Sequence, residues 1–306
     1  SDLADVGSTT SGFHPAVSYV GLCFQAKGDG YGRGSTCWYH VPIWQHLYEV
    51  IIHTLKYMEN LLSIVIVLFH PSDGQMTHIK ELAHHYRVIA VDNTPDNTSF
   101  SSYFSDVPNV TYIVLGENLG IACAQNIGIR RACEGGAAYV VFFDQDSDVC
   151  PKLVDSLLDS YLRLASTGEK VATIGPLIVN KSTGQLYKNS VSLNQRYAEV
   201  DFVISSGSIV SVEVFKKNGL MIPELFIDAV DIEWCLRTKQ NGYSSFIDTH
   251  LRMFHKVGEA DRHILGFPVL LSKPFRYYYV YRNFFLLCRL SYIPFRWKVK
   301  GFIRRL

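Results

Sequence analysis

From Leu61 onward the chain alternates short, unbroken apolar runs with longer segments of mixed polarity. Leu61 to Phe69 (LLSIVIVLF), Arg87 to Val91 (RVIAV), Val110 to Leu115 (VTYIVL) and Ala138 to Phe143 (AYVVFF) are strand-length runs of the kind buried on both faces. Between them Asp73 to Tyr86 and Gly120 to Glu134 read as helices, and Pro151 opens another at the first-turn position where its missing N–H is tolerated. This rhythm predicts an α/β fold with a Rossmann-like, mostly parallel sheet and helices on both faces. Ligands of such sheets bind beyond the carboxyl ends of the strands. Asp92 and the acidic stretch Asp144 to Asp148 fall at two of those ends.

After Thr173 the strands shorten. Val203 to Val210 (VISSGSIV) reads as a strand with small polar residues inside it, Ala229 to Asn241 as a helix, and Ser245 to His255 as extended chain completing the sheet. Residues 1–57 differ: they are rich in Gly, Ser, Tyr and Trp, with Gly28, Gly30, Gly32 and Gly34 in a loop-like stretch and a short helix expected over Ile43 to Met58. The expected organisation is an N-terminal extension over 1–57, the α/β domain over 58–272, and a tail over 273–306.

Charge sharpens that last boundary. The net charge of +1 hides a body of 20 Lys+Arg against 28 Asp+Glu over 1–272, and a tail with 9 Lys+Arg and no acid over 273–306. The tail interleaves its cations with Phe, Tyr and Trp, the composition of an amphipathic segment lying on an anionic membrane surface. Packing of its aromatics on the domain, or a homodimer contact, is the alternative use. No signature of nucleic-acid binding accompanies it. No stretch reaches the ~18–20 apolar residues of a spanning helix, and no basic region followed by an apolar block opens the sequence. Seven scattered cysteines without a C-x-x-C pair exclude a zinc framework and suit a reducing compartment.

The sharpest chemical feature is Asp144-Gln145-Asp146 after a buried strand. Two carboxylates one residue apart can approach one hard cation, Mg2+ or Mn2+, which favours oxygen ligands and shares them with substrate phosphates; a solvated acidic loop is the plain alternative. Asp228, Asp231 and Glu233 form a second cluster at a helix start, where a helix dipole favours them. Asp231, flanked by apolar Val230 and Ile232, is the candidate general base, whereas Glu233 has an i, i+4 partner in Arg237. His255 ends a strand-like run and is a candidate metal ligand. Ser205-Ser206-Gly207-Ser208 permits close approach of a ligand to the backbone, or marks a bend.

Taken in order, these segments resemble the family 2 glycosyltransferases of GT-A fold, and within them the rhamnosyltransferase-like members of bacterial cell-surface polysaccharide synthesis. The resemblance rests on Val91-Asp92-Asn93, on Glu117-Asn118-Leu119-Gly120-Ile121-Ala122 with Asn126-Ile127-Gly128-Ile129, and on Phe143-Asp144-Gln145-Asp146-Ser147. It continues through Ser205 to Ser208, Phe226 to Arg237, His255 to Gly258, Arg276-Tyr277-Tyr278 and Arg282-Asn283. It implies a metal-dependent, inverting transfer of a sugar from a nucleotide-diphosphate donor to an acceptor hydroxyl. The favoured donor is dTDP-L-rhamnose, with UDP-sugars next, and the acceptor a glycan or polyprenyl-linked glycan in O-antigen or capsule assembly.

By the same resemblance Asp92 holds the nucleotide base with His70 nearby, and Asn118 and Asn126 shape the donor site. Asp144 contacts the donor and, with Asp146 and His255, the metal. Asp231 is the base, and Ser206, Gly207, Asp228 and Glu233 lie on the acceptor side. The implied location is cytoplasmic, peripheral on the inner face of the cell membrane. Val230 stands before Asp231 where the wider family often has Glu, a spelling usual in the rhamnosyltransferase-like group. A haloacid-dehalogenase-type phosphohydrolase would also open on Asp-x-Asp, but on its first strand, whereas three strands precede it here; an inactive sugar-nucleotide-binding scaffold is the remaining alternative.

Overall fold

Two short strands, β1 (Tyr19–Leu22) and β2 (Tyr39–Pro42), pair antiparallel within an N-terminal unit, Ser1–Met58; the elements described below belong to a second unit, Glu59–Leu306. The computed structural model describes residues 61–95, 100–181, 184–186, 191, 193–255 and 274–305, with the backbone strands at 19–22, 39–42, 261–264 and 267–270. The glycine loop at 28–34 and the helix expected over Ile43 to Met58 lie outside the described residues.

The second unit is built on an eight-stranded sheet. In chain order its strands and helices are β3 (Leu62–Leu68), α1 (Asp73–Ala83), β4 (Arg87–Asp92), β5 (Val110–Val114), α2 (Gly120–Glu134), β6 (Tyr139–Asp144), α3 (Pro151–Ser166), β7 (Val171–Asn180), β8 (Tyr197–Val200), β9 (Ile209–Ser211), α4 (Val212–Asn218), α5 (Val230–Gln240) and β10 (Ser244–His255). The spatial order is β5-β4-β3-β6-β9-β7-β10-β8. Pairing is parallel except at β9 and β8, which run against their neighbours. This is the mostly parallel α/β architecture expected. A further antiparallel pair, β11 (Asp261–Ile264) and β12 (Phe267–Leu270), precedes α6 (Pro274–Cys288) and α7 (Phe295–Ile303).

The unbroken apolar runs follow from burial of both sheet faces. In β3, Ile64 and Ile66 pack with Met76 and Ile79 of α1 and Leu157 of α3, while the intervening Val65 packs with Ala124 and Ile129 of α2. α1 begins at a capping box in which the Ser72 hydroxyl accepts from the Gln75 amide and the Gln75 side chain accepts from the Ser72 amide.

One expectation changes. The strand read over Val203 to Val210 is only Ile209–Ser211, because Ser205 to Ser208 turns back on itself. The Ser208 amide and hydroxyl both donate to the Ser205 carbonyl (3.0 and 2.7 Å), and Gly207 adopts φ 82°. The basic tail is integral to the second unit: Leu287 and Ile293 are buried in the same core cluster as Trp234 of α5.

Candidate active site

In chain order the sheet grows from β3 outward to β4 and β5, then reverses to place β6 on the other side of β3. Such a reversal opens a crevice beyond the strand ends. Two candidate side chains stand there by register: Asp92 of β4 pairs with Leu68 of β3, and Asp144 of β6 with Val67, so one strand separates the two acids, and Gln145 follows at the rim. Gln145 bridges the crevice. Its side-chain oxygen accepts from the Phe69 amide (2.7 Å), and its side-chain nitrogen donates to the Phe69 carbonyl (3.1 Å). The next residue, His70, takes a left-handed conformation (φ 47°) and donates its amide to the Thr94 hydroxyl (2.9 Å).

Asp92 is buried, with 1% of its surface exposed. It accepts from the Thr94 amide (3.0 Å) and from the Tyr112 phenol, whose pKa burial and this bond hold above its ordinary value. Beside it Asn93 and Asn118 tie β4 to the start of α2. Asn93 donates to Asn118 (2.9 Å) and accepts from the Leu119 amide (2.8 Å), while Asn118 also accepts from the Gly120 amide (3.1 Å). Gly120 has φ 82°, and a Cβ there would meet the Phe226 ring at 2.5 Å. Only glycine both permits that backbone and lets the 226 loop sit on the helix start.

Asp144 and Asp231 meet at Ser205-Ser206. The Asp144 amide donates to the Ser206 hydroxyl (3.1 Å), and Ser206 shares a 2.7 Å bond with Ser147 on the far side of the Asp-x-Asp turn. Asp231 accepts from the Ile232 amide (2.8 Å) and lines one small cavity with Ser205 and Ser208. Burial pushes the Asp231 carboxyl up to about 6, with the Asp144 charge adding to the rise and the backbone amides opposing it. Gln125 of α2 donates to the Ser205 hydroxyl at 2.6 Å.

The loop leading to Asp231 is strained. Among the described residues four non-glycine positions have left-handed backbone, and three of them are Phe226 (φ 60°), Asp228 (φ 67°) and Ala229 (φ 61°). Such conformations cost of order 1–3 kcal/mol each and persist only where the surroundings impose them. Here α6 imposes them. Asn283, fully buried, donates its amide to the carbonyls of Leu225, Ile227 and Asp228, each at 2.8 Å. Arg282 donates to the Glu224 carbonyl and to Asn283, Arg276 binds both oxygens of Asp228 (2.9–3.1 Å), and Tyr279 stacks on Phe226 at 4.7 Å.

Several expected site residues are placed otherwise. Glu233 is fully buried and engaged: Arg237 binds it at 2.8 and 3.0 Å, and Tyr292 donates to it at 2.5 Å. It belongs to a structural ion pair, not to an acceptor wall. The Asp228 carboxylate is held by Arg276, so it serves the loop. Asn126, 2% exposed, exchanges two 2.9 Å bonds with the Met221 backbone, so its amide ties α2 to that segment within the core. Gly207 lies in the turn under β6, its amide on the Phe142 carbonyl (2.7 Å). His255 ends β10, and its side chain lies outside the described residues. Gln125, Gln145 and Asn283 are functional-site neighbours to which no sequence motif assigns a role. A glutamine inside an otherwise small, apolar helix face, and one between two metal-type aspartates, were the available signals.

The donor set suits a hard cation. Asp146 is exposed and Asp144 half-buried on the turn that Gln145 and Ser206 hold, two oxygen ligands of the kind Mg2+ or Mn2+ completes with phosphate oxygens. Among the described residues no three His, Cys, Asp or Glu side chains converge; a two-carboxylate site that takes its remaining ligands from substrate needs none.

A family model, glycosyl transferase family 2, matches residues 76–219. A dTDP-rhamnosyl transferase, RfbF of Shigella flexneri, is 35% identical over 253 residues, covering 78% of this chain and 83% of that protein. Among solved structures, S. aureus TarS residues 1–349 superposes with a TM-score of 0.49 at 18% identity, covering 64% of this chain and 60% of that one. GalNAc-T7 with UDP, GalNAc and Mn2+ gives 0.49 at 13%, covering 63% and 42%.

Proposed function

The chain belongs to glycosyl transferase family 2, is a nucleotide-sugar glycosyltransferase, and from that premise we propose that it inverts the sugar it moves, with Asp231 as the base. Family membership sets aside the phosphohydrolase alternative. L-Rhamnose from dTDP-rhamnose is the favoured donor, supported by what the Shigella relative is named for. The acceptor is a glycan or polyprenyl-linked glycan of bacterial surface polysaccharide, met at the inner face of the cell membrane with the enzyme attached peripherally.

The observation that supports this reading is that Asp231 lines one small cavity with Ser205 while the Asp144 amide bonds the adjoining Ser206, beside the crevice where β6 leaves β3. Asp231 removes the proton of the acceptor hydroxyl as that oxygen attacks the anomeric carbon. The bond to the diphosphate breaks on the opposite face, so one displacement inverts the centre. Asp144 and Asp146 would hold Mg2+ or Mn2+, which when bound offsets the negative charge of the leaving diphosphate. Gln145 and Ser206 keep the turn carrying both aspartates in place. Asp92, with Thr94 and His70 beside it, stands at the end where the nucleotide base would lie.

A thermal-shift screen of dTDP- and UDP-sugars with Mn2+, followed by analysis of the product anomer, tests the reading. Stabilisation by dTDP-rhamnose and an inverted linkage are expected. A retained linkage would remove Asp231 from the role of base, and stabilisation by UDP-sugars alone would replace the donor.

A further inference from the structure

The two C-terminal helices pack together along one edge and leave the other bare. Trp297 and Gly301 of α7, and Arg305 just past its end, recur every four residues and turn inward onto Phe284. The Trp297 ring is 5.8 Å from it, the Arg305 guanidinium lies 4.3 Å from its ring centre, and a Cβ on Gly301 would fall 2.4 Å from the ring. The opposite stripe, Phe295, Val299, Phe302 and Ile303, follows helical i, i+4, i+7, i+8 spacing and is exposed at 78, 40, 52 and 65%. On α6, Tyr278, Tyr281 and Phe285 repeat at i, i+3, i+7 and are exposed at 62, 44 and 59%. An apolar groove between Phe285 and Phe302 joins the two stripes.

The cations divide in the same way. Arg276 and Arg282 are engaged on the catalytic loop and Arg305 on Phe284. Arg289, Arg296, Lys300 and Arg304 are exposed beside the apolar stripes, and no acid occurs anywhere in 273–306. Large exposed rings among uncompensated cations match an anionic lipid surface: rings enter the headgroup boundary while cations meet phosphate. Among the described residues no helix is long and apolar enough to cross a membrane, so these helices would lie on it.

We infer that the exposed face of α6 and α7 docks on an anionic phospholipid bilayer. The inference makes specific the membrane contact in the proposed function, but binding itself does not depend on which sugar is moved. The opposite side of α6 carries Asn283, so docking would hold the loop before Asp231 at a fixed offset from the lipid surface.

The test is sedimentation of the full chain with vesicles of phosphatidylcholine, with and without phosphatidylglycerol. Binding is expected only with phosphatidylglycerol, weakening as salt rises. Phe302→Ser with Ile303→Ser, and separately Lys300→Glu with Arg304→Glu, are each expected to weaken it by roughly tenfold or more, with the melting temperature unchanged. Absence of vesicle binding, equal binding to both compositions, or full binding by both variants would overturn the inference. So would a dimer in solution that the Phe302 and Ile303 changes convert to monomer, which would make the face a contact between copies. A chain that binds vesicles without transferring sugar would leave the docking surface standing and remove the proposed reaction; transfer without vesicle binding would do the reverse.

Discussion

Asp144 and Asp231 flank the same two-residue step of the chain: the Asp144 amide donates to the Ser206 hydroxyl, and Asp231 lines one small cavity with Ser205. Burial, then the charge of Asp144, hold the Asp231 carboxyl up to about 6, above its ordinary carboxylate value. A base must be ionised to act, so kcat/KM should rise with pH through about 6 and level off above it. The stability consequence runs the other way. A carboxyl whose folded pKa is raised binds more protons folded than unfolded, so its contribution falls as pH rises from the unfolded value toward about 6. Asp231→Asn, compared with wild type without divalent ion, should therefore raise the melting temperature more at pH 8 than at pH 4.

The same substitution tests catalysis. A positioned base contributes roughly 10²–10⁴-fold, so Asp231→Asn should lower kcat by about that factor while dTDP-sugar binding, read by calorimetry, survives. Unchanged turnover would take Asp231 out of the mechanism.

Asp146 is exposed and bonds no loop in place, so Asp146→Ala should fold normally and lose metal-stimulated activity. A titration of rate against Mn2+ checks this; stimulation that persists would move the ion elsewhere.

The Glu233–Arg237 pair should behave as structure. Glu233 is fully buried and Arg237 also reaches the Asn218 and Leu220 carbonyls. Removing one member of a buried pair costs about 3–5 kcal/mol, so Glu233→Gln should lower stability in urea denaturation by roughly 3 kcal/mol. Once corrected for the folded fraction, acceptor KM should be unchanged.

Asn283 offers a sharper separation. It touches no expected substrate position, yet the two N–H groups of its amide are shared among three carbonyls of the strained loop. Asn283→Ala should lower kcat by roughly 10–100-fold through misplacement of Asp231 and leave the donor KM near wild type. A parallel rise in donor KM would show a general loss of fold instead.

The strands were legible because burial on both faces writes itself as unbroken apolar runs. Leu61 to Phe69 forms β3 with one residue trimmed at each end, and Gly120 to Glu134 is helical over that span, since Gly120 must turn left-handed where the Phe226 loop presses on it. The turn at Ser205 to Ser208 was not legible. Its flanks, Val203, Ile204, Ile209 and Val210, imitate a strand, and only the return bonds of Ser208 to Ser205 break it. The fate of Glu233 was half legible: spacing named Arg237 as partner, but burial beside Tyr292 depends on where a segment 59 residues away packs. Gln145 shows the same limit, since its partner Phe69 lies 76 residues earlier.

Asn283 also changes what counts as a removable part of this molecule. A helix that holds the loop before Asp231 cannot be exchanged as a cassette, nor trimmed at residue 273 to leave a minimal unit. Cargo preferences that evolve in the C-terminal helices must do so on their outward side, because the inward side is already committed to the loop before Asp231.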